Sequence, residues 1–338
     1  MNILITLDYE LYLGRETGTP DNCLIKPMGK LTEVMSAHQA KFVVFVDAAY
    51  LLRLYHLQND YAQLKTDYEK VAAHIQLLER EGHDIQLHFH PQWLYSNWDE
   101  GENRWKMDYQ HYKLSDMEPA FARDSFSDAK NLLDSLLSTP TRVFRAGGYC
   151  LDDFAGFTDL FEDNGILADS SVSRGNYRLS GSHNFDYRQV PPSNIYRFSN
   201  NIKEEDSKGR FTEYSISNFK LPYLISKVFL RRLKKRYNPS TYHYGDGVSI
   251  GNSVFKDNTS KKGIIKRLFS MVNLTASLDR DSSALLNMHY AHCKKNCQDM
   301  VVVGHPKEAT ESSIDNLSLW LSMIDEEDRI VTTKELLG

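Results

Sequence analysis

The sequence predicts an α/β fold built on a parallel sheet, doubly wound or closed as a barrel. Two observations carry that reading. Short apolar runs rich in β-formers alternate with longer segments of helical period, the order expected when parallel strands are joined by crossover helices. Polar residues also cluster just after the apolar runs, at the strand ends where such folds place their sites. With 338 residues, 41% hydrophobic and 25% charged, the chain can bury a sizeable core, as one large domain or two smaller ones.

The elements follow in chain order. Residues 2–7 read as a buried first strand that delivers Asp8-Tyr9-Glu10, and alternation of side chains puts Asp8 and Glu10 on one face. A loop over 14–27, containing Gly and Pro, precedes a helix near 30–39. Residues 42–46 form a second apolar strand ending at Asp47. The helical run 61–81 stops at Gly82, a suitable C-cap residue, and a strand over 84–88 follows. His88 and His90 share a face of that strand, just ahead of Pro91-Gln92-Trp93. Residues 95–112, with Trp98, Trp105 and Tyr109, either line a carbohydrate cleft, since sugar rings present apolar faces to aromatics, or pack on the body as a lid. Residues 126–137 read as a helix and 142–145 as a strand ending in Gly147-Gly148-Tyr149. Asp152 or Asp153 can cap the next helix, which runs to Asn164-Gly165, and 166–168 leads into Asp169-Ser170-Ser171. A strand is expected over 211–217. Another over 300–303 delivers Gly304-His305-Pro306-Lys307-Glu308. A helix with Ser312 or Ser313 near its cap and a last strand over 329–332 close the pattern.

Charge and cysteine usage narrow the class. A formal net charge of −5 argues against nucleic acid as a general partner. Residues 220–267 hold twelve Lys and Arg against two Asp, a strongly basic stretch inside an acidic chain. Leu221, Leu224, Ile225, Val228, Phe229 and Leu233 fall there at helical spacing. A basic amphipathic helix over 220–236 could touch an anionic membrane surface or a phosphate-bearing substrate, or simply dock on the main domain. Four scattered cysteines do not make a disulfide scaffold, and the Cys293/Cys297 pair lacks the second pair a structural zinc needs. The first residues lack a basic leader and meet Asp8 early, and no apolar run approaches a membrane span, so a cytoplasmic location is expected.

The strand-end polar groups are Asp8, Glu10, His88, His90, Arg145 and His305. One carboxylate with two imidazoles can hold a catalytic divalent ion, zinc being the first expectation. A second carboxylate can take a proton from water, a further histidine can protonate a leaving amine, and an arginine can orient the base. Chemically, the set describes a metal-assisted hydrolase of an amide or ester.

The motifs Leu4-Ile5-Thr6-Leu7-Asp8, Gly82-His83-Asp84-Ile85 followed by His88, Phe144-Arg145-Ala146-Gly147-Gly148-Tyr149, Asp169-Ser170-Ser171-Val172 and Val303-Gly304-His305-Pro306 together resemble the polysaccharide deacetylase superfamily, which includes chitin and peptidoglycan deacetylases. They run in family order over most of the chain; 203–285 matches no motif and is expected as an insertion within a single domain spanning 1–338. The resemblance implies a distorted (β/α) barrel and metal-dependent removal of acetyl groups from sugars. It implies Asp8 as catalytic base, His88 as first metal histidine, Arg145 as the arginine that positions the base, and His305 as general acid. Tyr149, Trp93 and Asp169 are expected to contact substrate. Two positions depart from the family pattern: Tyr9 stands where a second aspartate binds metal, and Gln92 where the second metal histidine lies. Strand alternation offers Glu10 and His90 in their place.

Three functions are compatible with these residues. The first is a deacetylase of an N-acetylated sugar or saccharide precursor in surface polysaccharide metabolism, with a nucleotide- or lipid-linked sugar suiting the basic stretch. The second is a saccharide-binding protein of the same fold without hydrolysis. The third is a hydrolase of a non-sugar amide such as a ureide or cyclic amide.

Overall fold

A computed structural model describes residues 1–151, 154–179, 181–224, 243–248, 271–279, 282–296 and 298–338. Its strands are β1 (Asn2–Tyr9), β2 (Val43–Asp47), β3 (Asp84–Phe89), β4 (Asn97–Asp99), β5 (Arg104–Lys106), β6 (Val143–Ala146), β7 (Ala168–Asp169) and β8 (Tyr177–Leu179). They continue as β9 (Asn184–Asp186), β10 (Ile195–Phe198), β11 (Phe211–Tyr214), β12 (Asn218–Pro222), β13 (Met271–Thr275), β14 (Met300–Gly304) and β15 (Arg329–Ile330). The main sheet runs β10-β11-β7-β6-β3-β2-β1-β14, with β15 also on β1. Every pairing in it is parallel except β10 with β11. The fold is the expected α/β barrel, realised as a curled half-barrel.

Alternation along each strand sorts its side chains into two cores. Ile3, Ile5, Leu7, Val44, Val46, Ile85, Leu87 and Phe144 join the larger cluster with helix residues such as Leu51, Leu54, Ile75, Phe126 and Trp320. Leu4, Val43, Phe45, Val143, Tyr214, Ile216, Val301 and Val303 form the smaller cluster inside the curl. Positions further along with the inner parity are Asp8 and Glu10, Asp47, His88 and His90, Arg145, and His305. The lumen is thus apolar at its base and polar at the C-terminal strand ends.

The curl closes without a full strand. Ser217 N–H donates to Val301 O at 2.9 Å, Ala276 N–H to Ser217 O at 2.9 Å, Val303 N–H to Ala276 O at 3.1 Å and Leu278 N–H to Val303 O at 2.9 Å. The antiparallel β12–β13 pair emerges from this seam.

Several elements differ from expectation for local reasons. The first long helix spans Lys26–Ala37, with Pro27 in its first turn, where a missing N–H costs nothing. The helix expected from 126 is Pro119–Ser135, because the Glu118 side chain accepts from Phe121 N at 3.0 Å and Pro119 opens the first turn. Thr310 caps Glu311–Leu321, with Ser313 near the cap as expected. Its Oγ1 accepts from Ser313 N at 3.0 Å while Ser313 Oγ accepts from Thr310 N at 2.8 Å. Residues 95–112 contain the β4–β5 hairpin, which puts Trp105 against Tyr50 and Trp93 and leaves Tyr109 exposed. The helices Ser283–Lys295 and Thr333–Leu337 and the strand β10 carry no strong sequence signal. Asp152, Asp153, Cys297 and most of the expected basic helix, 225–236, lie outside the described residues.

Gln86 shows how the barrel base is satisfied. Its Oε1 accepts from Arg142 N at 2.9 Å and Val143 N at 2.8 Å, and its Nε2 donates to Asp84 Oδ1 at 2.7 Å. The start of β6 therefore bonds to a side chain rather than to backbone. Gln86→Leu leaves the buried Val143 N–H without a partner and is expected to cost about 1–3 kcal/mol in urea unfolding.

Candidate active site and metal centre

Arg145 anchors the site. It is wholly buried on β6, lies 4.0 Å over the Phe45 ring, and spends its donors in several directions. Nη1 bonds Asp8 Oδ1 at 2.6 Å and Thr6 Oγ1 at 2.9 Å, Nη2 bonds Ser170 Oγ at 2.7 Å, and Nε bonds Ser170 O at 2.9 Å. Burial alone would raise the Asp8 pKa, but the Arg145, His88 and His305 charges outweigh it and hold the carboxyl below its usual value. Asp8 is therefore an ionised carboxylate with one oxygen fixed.

Glu10 sits one alternation further along β1. Its Oε2 lies 2.5 Å from His90 Nε2 and 3.3 Å from His88 Nε2. Its Oε1 accepts from Lys307 Nζ at 2.9 Å, and Lys307 also donates to Leu11 O at 2.8 Å. Burial opposes ionisation of Glu10, yet Lys307 and then His90 hold its pKa well below the carboxylate range. His88 Nδ1 bonds the Arg145 carbonyl at 2.8 Å, which makes that nitrogen the donor and turns Nε2 toward Glu10. The His90 ring stands edge-on to His88 with centroids 4.8 Å apart. It is admitted by Gly147, where a Cβ would come within 2.4 Å of Nδ1.

One carboxylate oxygen and two imidazole nitrogens from Glu10, His88 and His90 lie within 4.8 Å of one another, all buried. This donor set fits a divalent cation: the histidine tautomer is fixed by a second partner, and Lys307 leaves Glu10 a single oxygen to offer. Tyr9, at the position where the family pattern has an aspartate, has the opposite parity. It points into the helix layer, with its hydroxyl 2.8 Å from His74 Nδ1. Gln92 is buried, and neither of its amide atoms has a hydrogen-bond partner among the described residues.

His305 faces this set from β14. Its Nε2 is 3.5 Å from both Asp8 Oδ2 and Glu10 Oε1, and its Nδ1 bonds Asp279 Oδ2 at 2.7 Å. Asp279 Oδ1 also accepts the His305 backbone N–H at 2.8 Å. Burial would depress the imidazole pKa, but Asp279, with Asp8 and Glu10 behind it, raises it to about 9. His305 is a protonated, oriented imidazolium at neutral pH.

Of the three residues expected to contact substrate, Tyr149 alone stays half-buried at the barrel mouth. Trp93 is fully buried and donates its Nε1–H to Asp47 Oδ2 at 2.8 Å, while Asp47 Oδ1 accepts from His90 N at 3.3 Å. Asp169 accepts from Ser171 N at 2.6 Å and Ser171 Oγ at 2.8 Å, and so braces the turn whose Ser170 holds Arg145. Both support the site from behind, because their polar atoms are already committed there. Sequence reasoning missed Asp279, which lies in the stretch without motifs. It also passed over Lys307, although counting by twos from His305 points to it.

No protein-family model and no curated protein matches the sequence. Among solved structures, a Mycobacterium smegmatis protein assigned as a polysaccharide deacetylase superposes with a TM-score of 0.52 at 11% identity, covering 99% of this chain and 88% of its own. The fold is that of the polysaccharide deacetylases. A Pseudomonas aeruginosa protein assigned to the same group gives 0.46 at 10% identity, covering 99% and 89%. The PuuE allantoinase gives 0.47 at 10%, covering 99% and 88%. Only the first superposition is close enough to support a common fold. On the deacetylase fold, the alternation of β1 and β3 is what brings Glu10 and His90 to the lumen.

The His305–Asp279 pair yields a measurable outcome. Asp279→Asn removes the largest favourable charge, so the His305 pKa falls from about 9 toward 6.5, by about a unit or more. Histidine NMR titration of the metal-free protein reads this directly; an unchanged pKa would show that Asp279 does not control it.

Proposed function

We propose that the chain is a metal-dependent deacetylase that removes acetyl groups from an N-acetylated sugar or saccharide precursor. The observation that carries the reading is the buried Glu10–His88–His90 donor set beside an ionised Asp8 and a protonated His305. Glu10, His88 and His90 would hold a divalent ion, zinc foremost, which when bound supplies Lewis acidity toward a carbonyl oxygen.

The chain's own residues divide the proton transfers. Asp8, with Oδ1 held by Arg145, keeps Oδ2 toward the lumen and takes a proton from the attacking water. His305 gives its proton to the leaving amine nitrogen, and Asp279 keeps the ring oriented through Nδ1. One proton is taken and one given, so the charge of the pair is restored when Asp8 and His305 re-equilibrate through solvent. Tyr149, half-buried just after the strand that carries Arg145, is the residue placed to contact substrate.

The proposal extends to a cytoplasmic location and to a nucleotide- or lipid-linked sugar recognised with help from the basic stretch. Among the described residues no helix is long and apolar enough to cross a membrane. A second reading, saccharide binding without hydrolysis, draws on Lys307, whose ammonium already compensates Glu10 without an added ion.

Metal content separates the two. The purified protein is expected to carry about one divalent ion per chain, and His88→Ala to lose both the ion and acetate release from N-acetylated sugars. Full activity in His88→Ala would overturn the deacetylase assignment, and absence of stoichiometric metal would favour the binding protein.

A further inference from the structure

The Glu10 carboxylate is held from two sides. Its Oε2 faces the imidazoles of His88 and His90, while its Oε1 lies 2.9 Å from Lys307 Nζ and 3.5 Å from His305 Nε2. Neither proton transfer of the proposed reaction uses Lys307, although it is only 7% exposed and reaches the centre of the site.

Lys307 is pinned at both ends. Its ammonium also donates to Leu11 O at 2.8 Å and lies 5.0 Å from the centroid of the Tyr12 ring. Its carbonyl accepts from the Tyr12 hydroxyl at 2.9 Å and from Gly245 N at 3.2 Å. Gly245 permits that approach, because a Cβ there would stand 2.5 Å from the Lys307 carbonyl oxygen. Burying an ammonium is costly unless its partners are matched, and this seat matches them while keeping the charge against Glu10.

The balance of charge gives that placement its meaning. Asp8, Glu10 and Asp279 are already answered by Arg145, Lys307 and His305 before any ion is added. A divalent ion on Glu10, His88 and His90 enters a neutral cluster, with an ammonium on the far oxygen of the carboxylate it binds. The two cations then draw on one carboxylate and repel each other, strongly so where water is excluded.

We propose that Lys307 is a positioning residue that sets how tightly the centre holds its ion. The ammonium takes Oε1 of Glu10, confines coordination to Oε2, and weakens the ion's hold by its own charge. The inference rests on the reading of Glu10, His88 and His90 as the ion's ligands. A lysine that merely braced Glu10 predicts the opposite, because its loss would loosen the carboxylate and weaken binding.

Titration of the metal-free full chain with Zn²⁺ against a chromophoric chelator tests it, comparing wild type, Lys307→Met, Lys307→Gln and His88→Ala. Both lysine variants are expected to bind Zn²⁺ about tenfold or more tighter than wild type, an effect within reach of one adjacent unit charge. Gln keeps a donor but no charge, so tightening in it assigns the effect to charge, and either variant decides the matter if the other fails to fold. Thermal unfolding gives a second signal. Lys307→Met lowers the Tm of the metal-free chain, since Glu10 loses a partner, and saturating Zn²⁺ raises it by more than in wild type. Affinity equal to or below wild type, in whichever variant folds, overturns the inference and leaves the metal centre standing. Binding in Lys307→Met with none in wild type supports the inference and overturns the metal-dependent reading of the natural chain. Absence of Zn²⁺ binding throughout, or binding unchanged in His88→Ala, overturns both.

Discussion

The buried guanidinium of Arg145 is the contact on which the rest depends. It touches β1 through Thr6 and Asp8, β2 through the Phe45 ring, and the turn after β7 through Ser170, while its own carbonyl fixes His88 on β3. A charge this deep is tolerated only when its donors are matched, and here those contacts set the spacing of the strands around it. Removing one partner of such a pair typically costs about 3–5 kcal/mol, because the other charge is left buried. Asp8 is held in place by the same bond that keeps it ionised.

Around that centre the charges alternate in sign. Asp8, Glu10 and Asp279 face Arg145, Lys307 and His305, each within hydrogen-bond or near-contact range of an opposite charge. In a low-dielectric lumen such alternation strengthens each pair and polarises its neighbours. Two carboxylates on one strand end up with different duties: Asp8 answers to arginine, and Glu10 to lysine and two imidazoles. The difference comes from which neighbour the pleat presents to each.

Much of this was legible in the sequence, for a simple reason. Side-chain alternation is a local property, so the pairing of Asp8 with Glu10, and of His88 with His90, could be read by counting in twos, and the same counting explains why Tyr9 faces away. Arg145 and His305 were legible because they end strands. Asp279 was not, because it reaches His305 only through the way the sheet closes at Ser217, Ala276 and Leu278, and nothing in its neighbours announces that closure. Trp93 and Asp169, expected as substrate contacts, turn polar atoms to Asp47 and Ser171, since a strand-end address does not say which way a side chain turns once the strand stops. Helix starts at Lys26 and Pro119 were early because Pro and Glu caps extend a helix past its apolar periodicity.

The seam itself has a consequence for how this chain can vary. β12 and β13 stand side by side from Asn218↔Thr275 to Pro222↔Met271, so the chain leaves the barrel and returns at adjacent points. Length added between two ends already held together enters a closed stem, and the entropic cost of a longer loop grows only with the logarithm of its length. No strand bearing Asp8, His88 or Arg145 is shifted in register by such a change. The stretch between Pro222 and Met271 is therefore the place where the barrel can acquire new surface while its chemistry stays fixed.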